Sequence, residues 1–451
     1  MRIIGNNPAE ENAEITAIAS GTLPSGQPVV VNADGTVSII STTSVSQSLG
    51  SAAVFQGASI NGTNVAATYD ANAQKVVIAY KTGAKGTAVV GTVSGTSISF
   101  GTPAVFENAN VEYVSITYDA NAQKVVVVYS DAGASAVGTA AVGTVSGTNI
   151  SFGTPVVFNA AASYYNAITY DAVAQKVVVA FRDAGNGNDG TAIVGTVSGT
   201  SISFGSEAVF ETGTTTHISI VYDTNAQKVV IAYMDDSNGN KGTAVVATVS
   251  GTSISFGTLV IYEQGETLGV SVTYDANAQK VVIAYVDQTN SFKGTAIVGT
   301  VSGTNISFGT AVVFKDANIG YTPVSVVYNA AAQKVIISYI DTGNGYYATA
   351  AIGTLSGTDI SFGTDVALNS VNSSTTIPLV YDENAKAVVL SYEDQGNGRY
   401  GTSVVFQSAF TSTNFTAENF IGMSRGPTSS ITVTQAIGST VDMQSNRGDY
   451  V

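Results

Sequence analysis

The chain has 451 residues, with 17 basic against 32 acidic side chains and a formal net charge of −15. That balance argues against a duplex nucleic-acid binder, which needs clustered Lys and Arg on phosphates. The absence of cysteine removes disulfides and thiolate metal sites, while 44% apolar and only 11% charged residues exclude disorder.

The N-terminal stretch from Met1 to Glu10 lacks the apolar core of a secretion signal, and no run approaches the roughly 18 apolar residues of a membrane-spanning helix. Residues 20–37 read as hairpins. Residues 1–48 are therefore expected to form an attachment segment outside the main fold.

From residue 49 onward one unit recurs. Tyr-Asp-x-Asn-Ala-Gln-Lys or a close variant starts at Tyr69, Tyr118, Tyr170, Tyr222, Tyr274, Tyr328 and Tyr381, at spacings of 49, 52, 52, 52, 54 and 53. Gly-Thr-Val-Ser-Gly-Thr-x-Ile-Ser-Phe-Gly begins at Gly91, Gly143, Gly195 and Gly299. It recurs with Leu355 for Val from Gly353 and with Ala247 for the first Gly, and is missing from the seventh repeat. Self-similarity of this period marks a repeat architecture.

Each unit reads as four short strands, A to D. In the second, strand A covers residues 114–118, alternating apolar and polar, and Asp119 opens a tight turn by accepting from amides ahead of it. Strand B, residues 124–129, has Val at four consecutive positions and must be covered on both faces. Strand C spans 139–145, and Ser146-Gly147 signals a hairpin. Strand D spans 150–158. Pro103 and Pro155 fall inside D, which makes D the outer edge, and Glu207 and Asp365 blunt the same slot elsewhere.

Such units pack radially as β-propeller blades or stack as a solenoid. The ends of the repeat decide between them. The seventh unit has A (379–381), B (387–392) and C (401–406) but no D, whereas residues 49–55 match the D residues 100–106. The expected fold is all-β: a seven-bladed β-propeller, four antiparallel strands per blade, over residues 49–410, closed by the N-terminal strand. Residues 411–451 are a C-terminal β/loop segment with a short strand at 431–434.

The tandem Gly-Thr-Val-Ser-Gly-Thr-x-Ile-Ser-Phe-Gly-Thr-Pro units resemble those of tail-fibre-like and other virion proteins of marine bacteriophages. The stretches from Thr416 to Ser424, Val441 to Ser445 and Gly448 to Val451 look like a terminal module of the same proteins. The resemblance implies a virion protein, assembled in the host cytoplasm and present in multiple copies or as a homo-oligomer. It implies contacts with other virion proteins through the end segments, no cofactor, and no catalytic residues.

Within the chain, A–B and C–D turns are nearly constant, whereas D–A and B–C loops differ in every copy. Recognition resides in diversified loops on a rigid scaffold, and drift of exposed loops is the alternative. The position before strand A, expected at the channel mouth, is Asn64, Tyr113, Tyr165, His217, Gly269, Pro323 and Thr376. Tyr113, Tyr165 and His217 thus stand side by side, suited to sugars and protein epitopes alike or simply capping the channel. Phe292, Lys293, Tyr346, Tyr347, Arg399 and Tyr400 supply aromatic and basic tips on the later B–C loops, and Arg182 joins them as a candidate of the same receptor-binding face. The expected partner is a host-surface glycan or protein.

Asp131, Asp183, Asp235, Asp287, Asp341 and Asp394 follow strand B, with Thr82 in the first repeat. Their spacing does not match a calcium loop, so turn initiation is expected rather than a cation collar. One His, no Cys and five scattered Arg leave little for triads, zinc or a sialidase-type arginine cluster. Arg447-Gly448-Asp449 reads as turn sequence. Host attachment, a purely architectural virion role and a bacterial surface adhesin are the three functions the sequence carries, and an enzyme is not expected.

Overall fold

The computed structural model describes residues 13–23, 27–374, 376–414, 420–423 and 430–435. The chain divides into two compact units, Gln47–Ser408 and a smaller one made of both ends, Met1–Ser46 with Ala409–Val451. Among the described residues no helix is long and apolar enough to cross a membrane.

Each repeat in Gln47–Ser408 is an antiparallel sheet in the order A-B-C-D. In the second, Val111–Asp119 pairs with Lys124–Asp131, which pairs with Val137–Ser146. Strand B alternates its side chains between two neighbouring sheets, which is why it is apolar at every position. Val125, Val127 and Tyr129 pack on Val77, Ala79 and Val90 of the first unit. Val126 and Val128 pack on Val177, Val179 and Phe181 of the third. A buried aliphatic or aromatic side chain contributes about 1.5–3 kcal/mol, so these seams between sheets hold the fold together.

The seams run in succession and return to the start. Val380, Val389 and Val405 of the seventh unit share a cluster with Val76, Ile78 and Tyr80 of the first. The innermost strands likewise touch their neighbours in chain order, and Leu379–Asp382 touches Ala53–Asp70. Ser48–Leu49 and the first part of Ala53–Asp70 pair with Tyr400–Gln407, placing Leu49 opposite Phe406 and Val54 opposite Thr402, with Gly50 N donating to Val405 O at 2.9 Å. The strand missing from the seventh unit is thus supplied from the front of the chain, as expected.

Strand D is not one strand. In the first unit it splits into Ser97–Phe100 and Ala104–Glu107, both paired with Lys85–Ser94. Pro103 and Pro155 lie in the break between the halves, not within a ladder as expected, so Pro is tolerated because no ladder bond is required there. The break begins at a glycine whose backbone lies against the next unit's C–D turn. A Cβ on Gly101, Gly153, Gly205 or Gly257 would collide with the carbonyl oxygen of Thr148, Thr200, Thr252 or Thr304. Asp365, expected only to blunt the edge, accepts from Tyr339 Oη at 2.7 Å and Lys315 Nζ at 3.2 Å.

The A–B turns behave as expected. Asp70, Asp119, Asp171, Asp223, Asp275 and Asp382 are buried, and each accepts from the amide three residues on at 2.8–2.9 Å; Asn329 does so at 3.1 Å. In several units the motif tyrosine then bonds the turn of the preceding one. Tyr170 Oη accepts from Asn121 N at 3.2 Å, Tyr381 Oη from Ala331 N at 3.1 Å, and Tyr69 of the first unit bonds the backbone of Asn384 in the seventh.

In the smaller unit the two ends pair with each other. Ala13–Ile18 lies antiparallel to Ser430–Gln435, the hairpin Pro28–Val31 and Val37–Ile39 pairs with Phe420–Met423, and Thr42–Val45 pairs with Phe410–Thr413. Leu23, Val29 and Val37 form its core. Arg2, Arg425, Arg447-Gly448-Asp449 and the stretches 416–419 and 441–451 lie outside the described residues.

Candidate functional site

The site grows from a backbone irregularity. In units two to five the A–B ladder slips one register step, between Glu112 and Ser115, Tyr164 and Ala167, Thr216 and Ser219, and Leu268 and Ser271, so the positions expected just before strand A lie within the inner strand instead. Each slip is a β-bulge, which re-aims a side chain. The bulged residues Tyr113, Tyr165 and His217 have φ of 51°, 53° and 50°, a left-handed conformation that disfavours bulky side chains; Gly269 takes it without strain.

The bulges line up an aromatic row across three units. The ring centroids of Tyr113 and Tyr165 are 5.0 Å apart and those of Tyr165 and His217 5.5 Å apart. Tyr164, which the sequence did not single out, meets Tyr113 edge-on at 5.6 Å. The Arg182 guanidinium lies 4.8 Å from the Tyr164 centroid and 5.1 Å from that of Tyr165, within cation–π range of both. Arg182 is there because it stands directly opposite Tyr164 in the ladder.

Buried polar groups brace this row. Ser163 Oγ donates to Asn166 Oδ1 at 2.6 Å, and Asn166 Nδ2 donates to Ser130 Oγ at 3.1 Å and to the Tyr113 carbonyl at 3.4 Å. Thr216 Oγ1 donates to Asp236 Oδ1 at 2.7 Å, and Asp236 is within electrostatic reach of both Arg182 and Tyr165. The Nε of Arg182 is buried without an acceptor.

Burial pushes the Tyr113 and Tyr165 phenols up, opposed by the nearby Arg182 charge. Burial also lowers the His217 imidazole to about 4. At neutral pH the row therefore consists of uncharged rings with polar edges, and Arg182 is its one cation.

The remaining expected contact residues sit elsewhere. Phe292, Tyr346 and Arg399 each occupy the last position before strand C with φ near 60°, where other units place Asn188 and Asn240. Phe292 packs on Tyr321 at 4.7 Å and Lys293 pairs with Asp316 at 2.7 Å. Tyr346 is exposed, while Tyr347 and Tyr400 are half-buried. Arg399 is not a free tip: its Nε donates to the buried Glu393 at 2.7 Å, and Glu393 also accepts from Gly62 N at 2.8 Å.

Four of the six aspartates after strand B cap their own loops, whereas Asp235 and Asp394 make no such side-chain cap. Asp131 accepts from Gly133 N at 3.0 Å, Asp183 from Gly185 N at 2.8 Å, Asp287 from Asn290 N at 2.9 Å and Asp341 from Gly343 N at 3.1 Å. Among the described residues no three acidic or imidazole groups converge on a point.

No family model matches the sequence, and no curated protein does. Solved structures do. The BP39L lectin from Burkholderia pseudomallei superposes with a TM-score of 0.60 at 11% identity, over 79% of this chain and 98% of the lectin. A protein from Lactobacillus plantarum gives 0.51 at 12% identity, over 80% and 97%. The fold is all-β and propeller-like. At these identities the likeness is one of fold.

Proposed function

We propose that residues 49–408 form a closed seven-bladed β-propeller that recognises a surface glycan or protein through its variable end. In this reading the chain is a bacteriophage virion attachment protein. Closure is supported by the pairing of Leu49 with Phe406 and by the cluster joining the seventh unit to the first. Recognition rests on one observation above all: the bulged, strained row Tyr113, Tyr165 and His217 with Arg182 stacked beside it, at the end of the sheets where the loops diverge. Strained backbone at bulky side chains persists where the surrounding structure holds it, and such positions cluster at binding sites. Sharing a scaffold with a lectin is compatible with this use. The virion assignment rests on the repeat resemblance, and the paired chain ends would be its joint to other virion proteins.

Binding of the full-length fluorescent protein to intact cells and isolated envelopes from a panel of marine bacteria tests the reading. Saturable binding that falls at least tenfold in the Tyr113→Ala, Tyr165→Ala double variant is expected, with melting unchanged within a few degrees. No binding to any envelope would leave the architectural role in its place. Projection images of the protein test the blade number.

A further inference from the structure

We infer that the shelf formed by Tyr164, Tyr165, Arg182 and Asp236 binds an uncharged saccharide. This deepens the recognition reading and rests on it. The Arg182 guanidinium is spread over two tyrosine faces and its buried Nε lacks an acceptor. Nε itself is closed to solvent, so an occupant would meet the terminal guanidinium nitrogens, which no described residue engages by hydrogen bond or ion pair. Asp236 stands near Arg182, yet no ion pair joins them among the described residues, and its only side-chain partner is Thr216. The shelf therefore offers a donor and an acceptor that are close but do not satisfy each other.

A molecule rich in hydroxyl groups fits that pair, because each hydroxyl both donates and accepts. Its C–H face would lie on the tyrosine rings, whose faces carry partial negative charge. An anionic sugar fits worse. Asp236 sits at the shelf itself, and Asp183, Asp189, Asp235 and Glu112 lie at the same end of units two to four. Every unit carries a lysine at the opposite, constant end (Lys75, Lys124, Lys176, Lys228, Lys280, Lys334 and Lys386), and at the variable end of units two to four the acids outnumber the neighbouring Lys81 and Lys241. A cationic ligand would meet the Arg182 charge.

The test is an array of multivalent polymer-linked glycans probed with the full-length protein. Glucose, galactose, mannose and N-acetylglucosamine stand as neutral probes, glucuronic acid and N-acetylneuraminic acid as acidic ones. The expected result is binding to at least one neutral probe. That binding should drop tenfold or more in both Arg182→Met, which keeps an unbranched side chain but removes the guanidinium, and Asp236→Asn, which keeps the shape, with melting curves that overlay the parent. Preference for the acidic probes, binding to none, or full binding by either variant would overturn the inference. Envelope binding that persists while the array stays blank removes the saccharide inference alone; loss of all envelope binding removes the recognition reading itself.

Discussion

The carbonyl oxygen of Thr96 occupies the space that a Cβ on Gly50 would take. Gly50 belongs to the strand supplied to the seventh unit, and Thr96 to the C–D turn of the first. The same contact recurs from Gly101–Thr148 through Gly309–Thr358, each glycine facing the turn of the following unit. Gly363 alone faces nothing, because the seventh unit has no C–D turn to meet it.

That exception gives a matched pair of substitutions. Gly205→Ala should cost about 1–3 kcal/mol, since backbone rather than a flexible side chain blocks the methyl group. Gly363→Ala, at an equivalent sequence position, should be neutral or stabilise by about 0.4–1 kcal/mol through the unfolded chain. Denaturant midpoints of the two variants check this; equal effects would contradict the contact.

A second internal comparison concerns the outer acid and the strand-B tyrosine. Tyr129, Tyr233 and Tyr285 donate to Glu107, Glu211 and Glu263, each at 2.9 Å. The third unit has Phe181 instead, and there the acid is replaced by Asn159, which donates to Asp183 at 3.0 Å. Tyr233→Phe should therefore destabilise by about 1–3 kcal/mol by stranding a carboxylate that burial already pushes up. Adding Glu211→Asn, which copies the third unit, should recover most of the loss in a double-mutant cycle.

The contrast shows what was legible in the sequence. The period, the Asp-led turns and the doubly buried strand B follow from local composition, and they appear where expected. The replacement of Glu by Asn beside Phe181 was also written in the chain, and comparing repeats pairwise would have exposed the contact. The break in strand D was signalled by Phe-Gly-Thr preceding each Pro, but its cause is the neighbouring unit's backbone, which no local pattern reports. Tyr164 and Asp236 went unnoticed for a similar reason. Their roles come from a one-step register slip and from a carboxylate one unit away, and both are relations between distant segments.

His217 provides a pH prediction. Burial lowers its imidazole from the ordinary 6.5 to about 4. Above 6.5 both folded and unfolded states are neutral and the residue contributes nothing to pH dependence. As pH falls from 6.5 towards 4 the unfolded chain takes up a proton that the folded site refuses, so stability declines across that window. His217→Gln should remove this part of the slope while leaving stability above pH 7 with no added pH dependence. Because it is the sole histidine, one imidazole NMR resonance titrating at about 4 measures the shift directly.

Joining the first and last strands covalently tests the closure on which the site depends. Ala53 lies opposite Ser403 in the ladder between the supplied strand and the seventh unit, and the chain has no cysteine of its own to interfere. In the Ala53→Cys, Ser403→Cys variant, oxidation should form a single internal disulfide, seen as faster migration on a non-reducing gel. Closing so long a loop restricts the unfolded chain, and about 2–4 kcal/mol of added stability is expected, less whatever strain the bridge introduces. The gain should disappear on reduction. If the strands did not lie side by side, the thiols would stay free or link separate molecules. A stapled variant that keeps envelope binding would further separate closure from recognition: the bridge lies at the outer edge of the seventh unit, whereas the aromatic row belongs to units two to four.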